Sequence, residues 1–251
     1  MVRTFLVRGM LVGMVAGLLS FGFLKVYGEP QVDRAIAFEE QMDEAKAEFA
    51  KAHHMPAYEE APELVSRSVQ AGLGLFVAVM VYSAAFGGLF GLAFAVAQGR
   101  MPGDLSPRAL SALLALIGFI ALYAVPNLKY PANPPSVGNP ETIGARTALY
   151  FGMMAISLAA MVGGIALRRM LAAHYGGWNA TLMVGAYYIV LMIVAGLLLP
   201  VVNEVPEEFP AVVLWKFRIA SLGSQLILWA TLGLLFGGLT QRAYAHRSLP
   251  A

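Results

Sequence analysis

The densest set of chemically active side chains in this sequence is one short run, "HHMPAYEEAPE", where His53, His54, Met55, Glu59, Glu60 and Glu63 fall within eleven residues. Imidazole and carboxylate donors suit cobalt, nickel or zinc, so the run is a candidate for metal capture. Adjacent histidines at a helix end do not share a face, so His53 and His54 do not form an i, i+4 ligand pair. The other reading is a helix C-terminus, where histidine interacts favourably with the helix dipole, followed by a polar loop. Other chemistries find no support. The chain has no cysteine, which removes disulfides, iron–sulfur clusters, thiolate metal sites and cysteine nucleophiles. It has no H-E-x-x-H, G-x-S-x-G or P-loop motif, so no enzyme and no bound cofactor is expected.

A second candidate is the stretch "VPNLKYPANPPSVGNPETIGART", Val125 to Thr147. Pro126, Pro131, Pro134, Pro135 and Pro140 forbid a helix across most of it and push the residues before them to extended backbone. The stretch is therefore stiff, with many free carbonyls. Leu128, Tyr130, Val137 and Ile143 can anchor it, so it is expected to be an ordered, non-helical cap. Its polar residues Asn127, Tyr130, Asn133, Glu141 and Arg146 form a candidate outer-mouth loop, with a Glu141–Arg146 pair at its return. Asn203 and Arg218, in "VVNEVPEEFPAVVLWKFRIASLG", extend that set.

These candidates must be positioned by apolar elements. Only 13% of the 251 residues are charged and 59% are hydrophobic, with a mean hydropathy of +0.68; a soluble domain carries about 25% charged residues. Six runs approach the ~20 apolar residues that cross a bilayer: Phe5–Tyr27, Leu73–Ala97, Ala109–Val125, Ala148–Leu167, Leu182–Val202 and Leu222–Thr240. The first has a basic start but too long an apolar part, and no A-x-A site, for a cleaved leader. The fold class is therefore an all-α polytopic membrane protein in one domain, 1–251, with six transmembrane helices as three hairpins. No Asp, Glu or His lies inside a span. Such residues usually mark proton relays and ion paths, so a site must draw on the loops or on groups such as Ser83, Ser157, Tyr123, Tyr188 and Gln225.

The loop charges orient the chain. Arg3, Arg8, Arg100, Arg108, Arg168, Arg169, Arg242 and Arg247 collect on one side with one acid, Asp104; the other fourteen acids and nine Lys/Arg lie opposite. Positive charge marks the cytoplasmic side, which puts both termini inside and an acidic face outside. No basic block with interleaved aromatics is present, so nucleic acid is not an expected partner. Residues 28–72 form an outward acidic insertion. Within it Val32, Ala35, Phe38, Met42, Ala45, Phe49 and Ala52 make one apolar stripe, an amphipathic helix expected to pack on the proline-rich outer loops.

The return helices carry Gly87-Gly88, Gly163-Gly164 and Gly237-Gly238 at similar distances from an outer arginine. Small residues let membrane helices approach closely. Three repeated hairpins about an axis along the membrane normal, or simply the general abundance of glycine in such helices, would produce this pattern.

"YAVPNLKYPANPPSVGNPETIGART" and "EVPEEFPAVVLWKFRIASLGSQLILW", with the six-span layout, resemble the bacterial CbtA family, whose members are described as probable cobalt-transporter subunits. The resemblance spans essentially the whole chain. It implies cobalt uptake linked to cobalamin metabolism, with the cobalt ion as substrate, in the bacterial inner (plasma) membrane. It also implies a partner, a small single-span histidine-rich membrane protein (CbtB-like). It assigns no ligand residue. The bilayer itself and further copies of the chain in a homo-oligomer are the remaining expected partners. The alternative is a non-transporting membrane scaffold that binds a partner protein or ligand at its outer face.

Overall fold

The computed structural model describes residues 2–54, 65–100 and 105–247. Among these residues the regular structure is entirely helical. Five helices are long and apolar enough to cross a membrane: Val2–Ala52, Arg67–Ala97, Pro107–Lys129, Pro140–Leu198 and Ala211–Ala245. The fourth doubles back. Gly176 has φ 77° and ψ 160° inside it, a backbone that side-chain-bearing residues rarely adopt. Ser157 bonds to Tyr188 and Arg168 to Thr181 across the turn. We number the helices α1 (Val2–Ala52), α2 (Arg67–Ala97), α3 (Pro107–Lys129), α4 (143–175), α5 (177–198) and α6 (Ala211–Ala245).

The bundle buries small polar residues alongside its rings and leaves many large apolar ones on its outside. Ser83, Ser111, Ser157 and Thr240 are fully buried, whereas Leu197 is 80% and Leu234 is 70% exposed. Water would select the reverse, because apolar area removed from water is the main stabilising term there. A lipid surround removes that term, leaving close packing and interhelical hydrogen bonds. In α1, Gly9 and Gly13 lie against Ser83, Gly87 and Gly91 of α2, where an added Cβ would strike a backbone carbonyl. Ser111 of α3 donates to the Gly233 carbonyl of α6 at 2.8 Å, and Ser20 of α1 to the Ser224 carbonyl at 3.1 Å.

Two prolines are absorbed inside helices instead of ending them. A π-turn at Leu24–Gly28 precedes Pro30, and another at Ile120–Ala124 precedes Pro126. Proline lacks an N–H and its ring crowds the carbonyl four residues back; a widened turn relieves both. Hence α1 continues for 51 residues, about 75 Å at 1.5 Å per residue, well beyond a ~30 Å hydrocarbon core. Likewise α3 runs on to Lys129, so the non-helical part of the proline-rich stretch is shorter than its composition predicts: helix resumes as a short 3-10 turn at Pro140–Thr142.

The glycine pairs do pack, but not as three equivalent hairpins. Gly87 meets α1, Gly164 meets Val184 of α5, and Gly237 meets Ser111 of α3. Helix α6 packs chiefly between α1 and α3. The principal neighbours therefore run α2-α1-α6-α3-α4-α5. Replacing each helix by the one three places further along the chain gives the same order read backwards.

Candidate functional site

The extension of α1 beyond the π-turn carries the acidic insertion to the proline-rich loops. Phe38 meets Phe209 edge-on at 5.1 Å, and Ala35 is buried with Val137 and Val213. The stripe is covered only over its first half; Phe49 is 59% exposed. Arg67 fastens the start of α2 to α1 through Glu29 at 2.6 Å and Asp33 at 2.8 Å.

Between α3 and α4, the proline loop is held from three sides. Ser136, at φ 69°, lies 2.9 Å from the Ala35 carbonyl and 3.0 Å from Glu39 of α1. Arg218 of α6 donates from Nε to the Ala132 carbonyl at 3.2 Å and from Nη2 to Asn133 Oδ1 at 2.9 Å. The Tyr130 hydroxyl donates to the Pro200 carbonyl at 2.8 Å, and Asn127 Oδ1 accepts from Ala132 N at 3.2 Å. Gly138, at φ 119°, lies against the Arg146 guanidinium where no Cβ fits.

Glu204 ties the loop to the α5–α6 connection. It accepts from the Asn139 N–H at 2.7 Å and from the Thr142 hydroxyl at 2.7 Å, and its Oε2 lies 3.3 Å from Arg146 Nε. The Thr142 hydroxyl first, then the Asn139 N–H and the Arg146 charge, hold its carboxyl below the usual range. Arg146 also donates from Nη2 to the Asn139 carbonyl at 3.0 Å.

Beneath this network lies a cavity of about 400 Å³, lined by Tyr130, Asn133, Arg146, Asn203, Glu204 and Arg218, with Ile143, Tyr150, Phe151, Val202 and Val205 among its apolar walls. Five of the seven outer-mouth candidates thus converge on one space. Asn127 instead sits at the end of α3 and stabilises the turn. Glu141 is exposed and does not pair with Arg146; Glu204 takes that position, 58 residues further along. Glu204 directly follows Asn203 in the chain, but nothing in the local sequence marks it as the partner of Arg146.

The candidate metal run is elsewhere. His53 Nδ1 lies 2.9 Å from the Phe49 carbonyl and its ring stacks on Phe49 at 4.0 Å, while His54 turns the chain at φ 52°. Met55, Glu59 and Glu60 lie outside the described residues. Among the described residues no group of three or more His, Asp or Glu is placed to hold a metal ion.

The helices are long and apolar enough to cross a membrane, and the cavity lies at one end of them. Residues 2–241 match the family model described as "probable cobalt transporter subunit (CbtA)". The chain belongs to the CbtA family. No curated protein and no solved structure matches it. The CbtA description names a subunit, which implies a partner chain, and cobalt as the transported ion.

Proposed function

We propose that this protein is a membrane-embedded, cobalt-translocating subunit, with six crossings arranged so that the proline-loop end faces outward and both termini are cytoplasmic. The observation that carries this reading is the family match over residues 2–241 of a bundle whose cavity opens at one end. The loop charge bias supports the orientation. In this reading the bacterial inner membrane holds the protein, a small histidine-rich single-span partner completes it, and the imported cobalt serves cobalamin synthesis. The His53–Glu60 run acts as a first capture point on the outer face, where acidic residues raise the local cation concentration. Cells carrying the protein with its partner should take up radiolabelled Co²⁺ at low external concentration, and deleting the pair should abolish that uptake. Unchanged uptake after deletion overturns the proposal. Replacing His53 and His54 together with alanine should raise the Co²⁺ concentration needed for half-maximal uptake.

One observation favours the second reading, a non-transporting scaffold: the described residues offer no ligand cluster for a desolvated dication. Reconstitution separates the two. Metal flux into vesicles supports the permease; a stable partner complex without flux supports the scaffold.

A further inference from the structure

We infer that the cavity beneath the proline loop binds a small carboxylate anion, and that it rejects a bare dication. The charge inventory of its walls carries the inference. Both oxygens of Glu204 are engaged, by Asn139, Thr142 and Arg146, so that acid and Arg146 neutralise each other. Arg218 is left. Its only bonds among the described residues go to neutral acceptors, the Ala132 carbonyl and Asn133 Oδ1. A guanidinium has five N–H donors, so three have no acceptor among the described residues.

This leaves the cavity with one unbalanced positive charge, held in place by two hydrogen bonds. A planar fork with free donors matches a carboxylate in charge and geometry; a dication would meet repulsion and find no free carboxylate. The Asn203 amide makes no hydrogen bond among the described residues and adds a neutral donor. The volume, about 400 Å³, falls in the ~300–1,000 Å³ range of small-molecule sites. Resting on the cobalt reading above, metal would pass this point as an anionic carboxylate complex.

The test is calorimetric titration of the purified full chain in detergent with citrate, with Co²⁺, and with equimolar Co²⁺ and citrate. Citrate and its cobalt complex should bind, more weakly as salt rises. Arg218→Gln should weaken both at least tenfold, and Arg218→Lys should recover part of the loss. Because Arg218 also pins the loop, Asn203→Ala provides a second variant, expected to weaken citrate several-fold without altering the melting temperature. Absence of citrate binding to the unaltered protein overturns the inference, as does binding of Co²⁺ alone that Arg218→Gln leaves unchanged or strengthens while citrate has no effect. Citrate binding without cobalt transport would sink the metal reading and leave this site standing. Cobalt uptake that depends on the protein but not on citrate or Arg218 would do the opposite.

The helix order independently carries a second inference: the halves α1–α3 and α4–α6 exchange conformations, opening the bundle alternately at its two ends. The order α2-α1-α6-α3-α4-α5 is the relation expected of two three-helix repeats inserted with opposite sense. Crevices follow it. One of about 420 Å³ lies among α1, α2 and α6, lined by Ser20, Tyr82 and Gln225; its counterpart of about 450 Å³ lies among α3, α4 and α5, lined by Ile117, Met161 and Val184.

The ends, however, are unequal. Where α4, α6 and the two outer connections enclose the cavity, the opposite end is filled by Phe5 of α1, Phe94 of α2 and Phe236 of α6 and bridged by Arg8 to Thr240. The chain has no native cysteine, so single cysteines report directly. Thr240→Cys, fully buried in this state, should be modified by a soluble maleimide at least tenfold faster than Ser157→Cys, equally buried within the α4–α5 pair. Equal rates, or no modification of either, overturn the exchange.

Discussion

At the proline-loop end, polar groups from two helices and two connections surround a cavity; at the arginine end, aromatic rings and glycines fill the space between the helices. The first is held by directed bonds: Arg218 to Asn133, Tyr130 to Pro200, Thr142 to Glu204. The second is held by contact: Phe94 and Phe236 meet edge-on at 5.1 Å, and Gly9 lies on Gly87. Hydrogen bonds fix position without filling volume, whereas apolar packing requires volume to be filled. The first end therefore keeps a polar-lined volume that the second does not.

Substitutions can break that contrast. The largest effect is expected from Gly87→Leu at the arginine end. The new side chain would meet the Gly9 carbonyl, and overpacking typically costs about 1–3 kcal/mol and occasionally more. The folded, monodisperse peak in gel filtration should be lost or strongly reduced. Gly138→Ala should come next: it combines a left-handed backbone, costing about 1–2 kcal/mol for an L-residue, with displacement of Arg146, and should lower both melting temperature and cavity binding.

Tyr130→Phe and Thr240→Val each remove one hydrogen bond, worth about 0.5–1.5 kcal/mol net. They should lower the melting temperature by similar amounts, but only Tyr130→Phe should alter ligand binding. The smallest effect is pH-dependent. Glu204 has a lowered folded pKa, so its contribution is fully present above the unfolded carboxylate value of about 4.3 and is lost as pH falls through the lower folded value. Relative to the intrinsic exchange rate at each pH, amide protection at 130–142 should fall on acidification, less so in Glu204→Gln, while 5–17 and 83–94 should keep theirs.

Much of the proline-loop end is legible in the chain itself. Tyr130, Asn133 and Arg146 stand out because polar groups in a charge-poor, proline-rich stretch between apolar runs have few structural reasons to be there; Asn203 and Arg218 stand at the borders of the next outer loop. Glu204 does not stand out, because its partner Arg146 lies in a different loop and local spacing carries no information about such contacts. The continuation of α1 and α3 through Pro30 and Pro126 is not legible either: proline predicts a break, and only the surrounding packing decides that a π-turn absorbs it. The Gly9–Gly13 ladder is visible at an i, i+4 spacing, but its partner helix is not.

By itself the sequence determined the membrane class, the helix-forming runs, the uneven charge and the family, because each follows from composition or local pattern. Which helices adjoin, that α6 lies between α1 and α3, that Glu204 neutralises Arg146 and leaves Arg218 unbalanced, and that one end is open while the other is filled were decided by the tertiary structure. Those are relations between residues distant in the chain, and where hydrophobic burial does not drive association, shape and hydrogen bonding choose the neighbours.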